Sequence, residues 1–135
     1  MFIGVKYEHK EQLFFLLLAA LWGCLIFYLS SIPDLSSGLP SMYDFILRKM
    51  AHVSVFMILT YFLAGSLSKN SRPYLFFVII VAVIYAFIDE LHQADVITRH
   101  GSPVDIVIDS IGVYLGIRIY QYKPPSKILR KKFFK

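Results

Sequence analysis

The sequence predicts an all-α integral membrane protein, a four-helix bundle with both termini in the cytoplasm. Three observations carry this reading. Apolar residues make up 57% of the 135-residue chain and charged residues 17%, against roughly 45–50% and 25% in a soluble domain. The apolar residues gather into four segments separated by polar stretches. Basic residues collect at one end of those segments and acidic residues at the other. The mean hydropathy is +0.61, and a soluble globule this small has too much surface to leave so little of it polar. An aromatic content of 16% excludes disorder. Cys24 is the only cysteine, which excludes an intramolecular disulfide and a multi-cysteine metal site. The length fits one domain over 1–135.

The first span is expected over about 12–32, around the apolar run Leu13–Leu29. Roughly 20 apolar residues cross the hydrocarbon layer as a helix. The run is too long for a signal-peptide core and no A-x-A site follows, so it reads as a retained helix. In the loop that follows, Ser41 with Asp44 three residues on signals a helix N-terminus. A short interfacial helix is expected there, leading into a second span over 50–67, between Lys49 and Lys69. The third span, 74–91, starts after Pro73, whose missing N–H does no harm at a helix start. Its apolar run closes on Asp89-Glu90. The fourth, 104–120, is the least apolar and carries Asp105 and Asp109, but Ile106–Ile119 is otherwise apolar and glycine-spaced. A basic tail, 121–135, follows.

Charge selects the orientation. Of the fourteen Lys and Arg, only Arg48, Lys49 and Arg99 fall in the two loops on the side away from the termini. The positive-inside rule then places both termini in the cytoplasm. A net charge of +5 and a pI near 9.4 would suit nucleic acid. The basic residues instead flank the spans, so the expected partner is the lipid bilayer and not nucleic acid. The tail reads as topogenic, placed to lie against anionic lipid. Only Glu8 and Glu11 are acidic on the cytoplasmic side. Asp34, Asp44, Asp89, Glu90, Asp95, Asp105 and Asp109 belong to the outer half, with His52, His92 and His100.

Helical periodicity sorts these residues. Lys49 and His52 share a face. Asp89 shares a face with His92 and Gln93, and Glu90 points about 100° away. Asp105, Asp109, Gly112 and Gly116 form one stripe, in which G-x-x-x-G allows a second helix to approach closely. Asp109 lies roughly 6 Å deeper than Asp105 and needs a partner, for which Lys49, Arg99 and His52 are the candidates. Intramembrane ionisable groups mark functional sites, and polar networks also pin helices together in lipid. His92 and His100 read as loop residues and Asp95 as a solvated one.

The sequence Arg48-Lys49-Met-Ala-His52 opens the second span and Asp89-Glu90-Leu-His92-Gln93 ends the third. Arg99-His-Gly101 follows, and then Asp105-x-x-x-Asp109-x-x-Gly112-x-x-x-Gly116. This ordered set resembles the VanZ family of small bacterial membrane proteins, over about Ser30 to Gly116. Where the family often has an aromatic after the His and then Glu-Tyr, this chain has Val53, Val55 and Phe56. Ile97-Thr98 stands in place of a common Pro-Gly, and Asp95 in place of an aromatic. The resemblance implies a protein of the bacterial cytoplasmic membrane with a role in the cell envelope. The family's founding member is associated with low-level resistance to teicoplanin, a lipid-tailed glycopeptide that binds cell-wall precursors.

The residues support a membrane-embedded enzyme with its site at the outer leaflet. His52, Asp89 and Glu90 are the expected acid or base. Asp105 and Asp109 would orient the cations or take part directly. Lys49, Gln93 and Arg99 would hold an anionic substrate, a lipid-linked envelope precursor being the natural class. Hydrolysis and group transfer both stay open. No cofactor is specified. A divalent metal is compatible with the ligand types, but no ligand spacing demands one. The alternatives are a non-catalytic protein that binds or shields a lipid or an antibiotic, and a small transporter. The oligomeric state stays open.

Overall fold

A computed structural model describes residues 9–33, 37–67, 72–99 and 101–122. It is all-α, with four helices: α1 (His9–Ser30), α2 (Ser41–Gly65), α3 (Arg72–Asp95) and α4 (Pro103–Tyr122). Of the expected tail 121–135, Gln121 and Tyr122 belong to α4, and 123–135 lies outside the described residues, as do Lys6, Glu8, Asp34, Lys69 and His100.

Local chemistry sets the boundaries. α1 stops before Pro33, where the residue preceding a proline is pushed out of the helical region. α4 starts on Pro103, its fixed φ suiting the first helical position. Ser102 caps α4: its Oγ accepts the Val104 N–H at 3.2 Å and its carbonyl accepts the Asp105 N–H at 2.8 Å. The expected interfacial helix and second span prove to be one helix of 25 residues. Nothing between Asp44 and Lys49 breaks a helix. Its N-cap is Pro40, whose carbonyl accepts the Tyr43 and Asp44 N–H groups, and not Ser41. Asp44 instead accepts the Ser37 N–H and pairs with Arg48 one turn on, each at 2.6 Å.

α1, α2 and α3 are each long and apolar enough to cross a membrane. Any comparable stretch of α4 contains Asp105, Asp109 and Arg118. Large apolar side chains face outward on all four helices, including Leu21, Phe76, Val107 and Tyr114. This is the pattern of a surface meeting lipid rather than water.

The interior is layered along the helices. At the end of the bundle where α1 begins and α4 ends, Phe15, Ala64, Leu75, Val78, Ile117 and Tyr120 pack together. The middle holds Ala19, Ile26, Phe56, Leu59, Ala82, Ala86 and Val113. The far end is polar, with Ser30, Asp89, Glu90, Gln93, Asp105 and Asp109 all buried. α2 and α4 form the most extensive helix pair, and α1 meets α2 and α3. Two hydrogen bonds fasten α1 to its neighbours through main-chain acceptors. Trp22 Nε1 donates to the Val55 carbonyl at 2.9 Å, and the Tyr85 hydroxyl to the Gly23 carbonyl at 2.6 Å.

The α2–α4 seam depends on Gly112 and Gly116. A Cβ on Gly112 would fall against the Val53 carbonyl oxygen and 3.1 Å from its carbon. One on Gly116 would lie 2.5 Å from the Met57 carbonyl oxygen. The two backbones are therefore in direct contact, and the stripe that positions the glycines also turns Asp105 and Asp109 toward α2.

Candidate functional site

The polar end is assembled from α2, α3, α4 and the turn between α3 and α4. Lys49, on α2, forms an ion pair with Asp105 on α4, and its ammonium lies 5.1 Å from the Phe45 ring centroid. One turn deeper, His52 Nδ1 is 2.9 Å from Asp109 Oδ1 and 3.9 Å from Glu90 Oε1. Of the three candidates, His52 is thus the partner of Asp109. The two pairs follow from one register, because the i, i+3 face of α2 meets the i, i+4 stripe of α4 across the glycine contact.

On α3, Asp89 and Gln93 act one turn apart, with Gln93 Nε2 donating to Asp89 Oδ2 at 2.8 Å. Glu90 points toward α4, where its Oε2 accepts the Ser102 N–H at 2.9 Å. Gly101 makes that contact feasible, since a Cβ there would strike the Glu90 carbonyl oxygen. Among the sequence-derived site residues, Lys49 and Asp105 form one pair, and His52, Glu90 and Asp109 form a trio one turn deeper. Asp89, Gln93 and Arg99 form a further group, which shares pocket walls with His52, Lys49 and Asp105.

Arg99 has an architectural role that the sequence did not suggest. Its Nε donates to the Ile32 carbonyl at 3.0 Å and its Nη2 to the Leu29 carbonyl at 3.1 Å. These are carbonyls at the C-terminal end of α1, where a cation is favoured by the helix dipole. Nη1 reaches Gln93 Oε1 at 3.3 Å. A guanidinium has five N–H groups, so two remain for a ligand. Burial lowers the pKa of Arg99 from its usual value, with the carboxylate of Asp89 acting against it. His92 is not part of this centre. It pairs with Ser31 Oγ at 2.8 Å and stacks on Phe27 at 4.1 Å.

Thr98, just before Arg99, has φ = +69°. A β-branched residue in the left-handed region is a genuine outlier, costing roughly 1–2 kcal/mol. Exchange to glycine removes that strain. Thr98→Gly is therefore expected to raise the unfolding free energy by about 1 kcal/mol, some of the gain being lost to a more flexible unfolded chain. Unfolding in mixed micelles would check it, and an unchanged or lower stability would count against the strain.

Two pockets reach this end of the molecule. One, of about 110 Å³, has apolar walls from Ile26, Leu29 and Val55 and polar groups from Arg48, His52, Asp89 and Arg99. The other, of about 220 Å³, is lined by Lys49, His52, Gln93, Thr98, Arg99 and Asp105. Three buried carboxylate oxygens near them have no hydrogen-bond partner: Asp89 Oδ1, Glu90 Oε1 and Asp109 Oδ2. One donor atom each from His52, Glu90 and Asp109 can be chosen within 4.8 Å of one another, so this trio has the spacing to hold a cation.

The VanZ/LLP1 family model matches residues 14–124, which takes in all of these site residues and most of the chain. The chain belongs to the VanZ/LLP1 family. No curated protein and no solved structure matches it. Within this VanZ/LLP1 protein, the Arg-Lys-x-Ala-His block, the Asp-Glu-x-His-Gln block and the Asp-x-x-x-Asp stripe meet at one end of the bundle.

Proposed function

We propose that this VanZ/LLP1 protein acts at the extracytoplasmic face of the bacterial cytoplasmic membrane, crossing it four times with both termini inside. In this reading its polar pocket takes the anionic headgroup of a lipid-linked envelope precursor, and its action protects the cell against lipoglycopeptides such as teicoplanin. The observation that carries the proposal is the amphipathic pocket itself. Apolar walls lead to the Arg48 and Arg99 guanidinium groups and to carboxylates beside an imidazole. Such an arrangement suits a ligand with a charged head and a hydrocarbon tail.

An apolar groove of about 670 Å³ supports the same reading. It follows α1 from Leu16 to Ser31, with Leu59, Leu63, Val81 and Tyr85 on its other sides. Fifteen helical steps make that about 22 Å, a length that matches an acyl chain better than a peptide side chain. Asp89 and Glu90, each with an unpaired oxygen, and His52 are the acid–base candidates. Asp105 holds Lys49 in place. A purely pinning network would leave fewer buried oxygens without partners.

The test is teicoplanin susceptibility in a sensitive Gram-positive host, comparing empty vector, wild type and Asp89→Asn at matched membrane levels. Wild type is expected to raise the inhibitory concentration and Asp89→Asn to fall back to the vector value. Equal protection by both proteins would make the carboxylate dispensable and favour passive shielding.

A further inference from the structure

We infer that His52, Glu90 and Asp109 form a binding site for a first-row divalent cation such as Zn²⁺ or Mn²⁺, with coordination positions left open toward the pocket. The inference concerns the protein and the metal alone, so it stands or falls separately from the envelope substrate.

Geometry comes first. One donor atom from each side chain lies within 4.8 Å of the other two. Donors bound to one such ion at about 2.0–2.2 Å sit roughly 3–3.5 Å apart. His52 Nδ1 and Asp109 Oδ1 are already 2.9 Å apart, and Glu90 Oε1 is 3.9 Å from the same nitrogen. Closing the trio on an ion brings Glu90 Oε1 in from 3.9 Å, a shift its carboxylate can make while Oε2 keeps the Ser102 N–H.

The second observation is independent of spacing. Glu90 and Asp109 are 4% and 0% exposed, and each aims a carboxylate oxygen, Oε1 and Oδ2 respectively, at no hydrogen-bond donor. A buried acceptor without a donor is costly. Positive charge is equally scarce. Lys49 is committed to Asp105, Arg48 to Asp44, and Arg99 to two carbonyls and Gln93. Among the described residues, no Lys or Arg lies within 4 Å of a carboxylate oxygen of Asp89, Glu90 or Asp109. A divalent cation would balance two carboxylates with no net charge, and the imidazole would bind as a neutral ring with its proton on the other nitrogen.

The donor set selects the class of ion. One nitrogen and two carboxylates suit the imidazole-tolerant first-row metals. Ca²⁺ takes six to eight oxygens, and Mg²⁺ is bound through carboxylates with retained waters. Three protein ligands with free positions is the pattern of a catalytic rather than a closed structural zinc site. The surroundings already fix the ligands as an outer shell does: the Ser102 N–H holds Glu90 Oε2, and the Gly112 contact fixes the depth of Asp109.

The experiment uses the full chain in lipid nanodiscs, stripped with a chelator and titrated with Co²⁺, whose visible ligand-field bands report coordination. Equilibrium dialysis with Zn²⁺ and Mn²⁺ gives the stoichiometry by elemental analysis. The expected result is one saturable equivalent per chain and a Co²⁺ band absent from free Co²⁺. Glu90→Gln and His52→Gln should each weaken binding by about tenfold or more, outer-shell changes alone costing roughly 10–100-fold. Glutamine at position 90 retains an oxygen for Ser102, so this variant keeps the α3–α4 contact, and circular dichroism confirms its helices. His92→Gln, on the Phe27 side of α3, should bind like wild type. A helical wild-type protein showing no ligand-field band, or a Glu90→Gln variant with wild-type affinity, would overturn the inference.

Discussion

Gly112→Ala is expected to lower the unfolding free energy by about 2–3 kcal/mol, at the upper end of the usual cost of overpacking. The methyl group would collide with the Val53 carbonyl, a main-chain atom that no rotamer change can move aside. Relief requires α2 and α4 to separate, and their seam is the most extensive in the bundle. Gly116→Ala should behave alike, since its Cβ would meet the Met57 carbonyl oxygen at 2.5 Å. The two substitutions should not add. Once the helices have parted at one glycine, the clash at the other is already eased, and contacting sites are generally coupled. Gly23→Ala is the control. Its Cβ would meet only Tyr85 at 3.6 Å, an ordinary contact, and alanine is the better helix former. Unfolding of the four variants in mixed micelles gives the comparison. A Gly112→Ala protein as stable as Gly23→Ala would refute the close seam.

His52→Leu is expected to cost more, about 3–5 kcal/mol, the range for breaking a buried ionic pair from one side. Asp109 is fully buried, and its Oδ2 already lacks a donor. Without the imidazole, its other oxygen loses its partner too. Adding Asp109→Leu should recover much of the loss, because the uncompensated carboxylate is then gone. Running the cycle in chelator separates this coupling from any bound metal. If the double variant is no more stable than His52→Leu, the pair is not the source of the penalty.

Much of the site was legible because helical periodicity is a local property. Asp105, Asp109, Gly112 and Gly116 share a stripe in any helix, and so do Lys49 and His52. Their union needed only a close helix pair, and the glycines announced one. Which cation serves which carboxylate was not legible. Lys49 and His52 lie 56 and 57 residues from Asp105 and Asp109, and that pairing is set by the register of two backbones. Arg99 was legible as a cation but not as a cap on α1, since its acceptors are main-chain carbonyls that any residue could supply. Trp22 and Tyr85 escaped notice for the same reason. The start of α2 at Ser41 is legible from Ser41 and Asp44, but the capping acceptor is not, because it is the Pro40 carbonyl and no side chain.

The uneven character of α4 bears on how the molecule is made. Three helices can partition into lipid on their own composition, whereas α4 brings two carboxylates and a guanidinium, and each such charge costs at least about 2.5–3.5 kcal/mol at the centre of a bilayer. Its acids find their counter-charges on α2, which is synthesised some fifty residues earlier. On the proposed four-span topology, α2 would wait with Lys49 and His52 unmatched until α3 had crossed and α4 emerged. Insertion of α4 and assembly of the polar centre would then be a single event, and a chain arrested before it would lack both the final helix and the pocket.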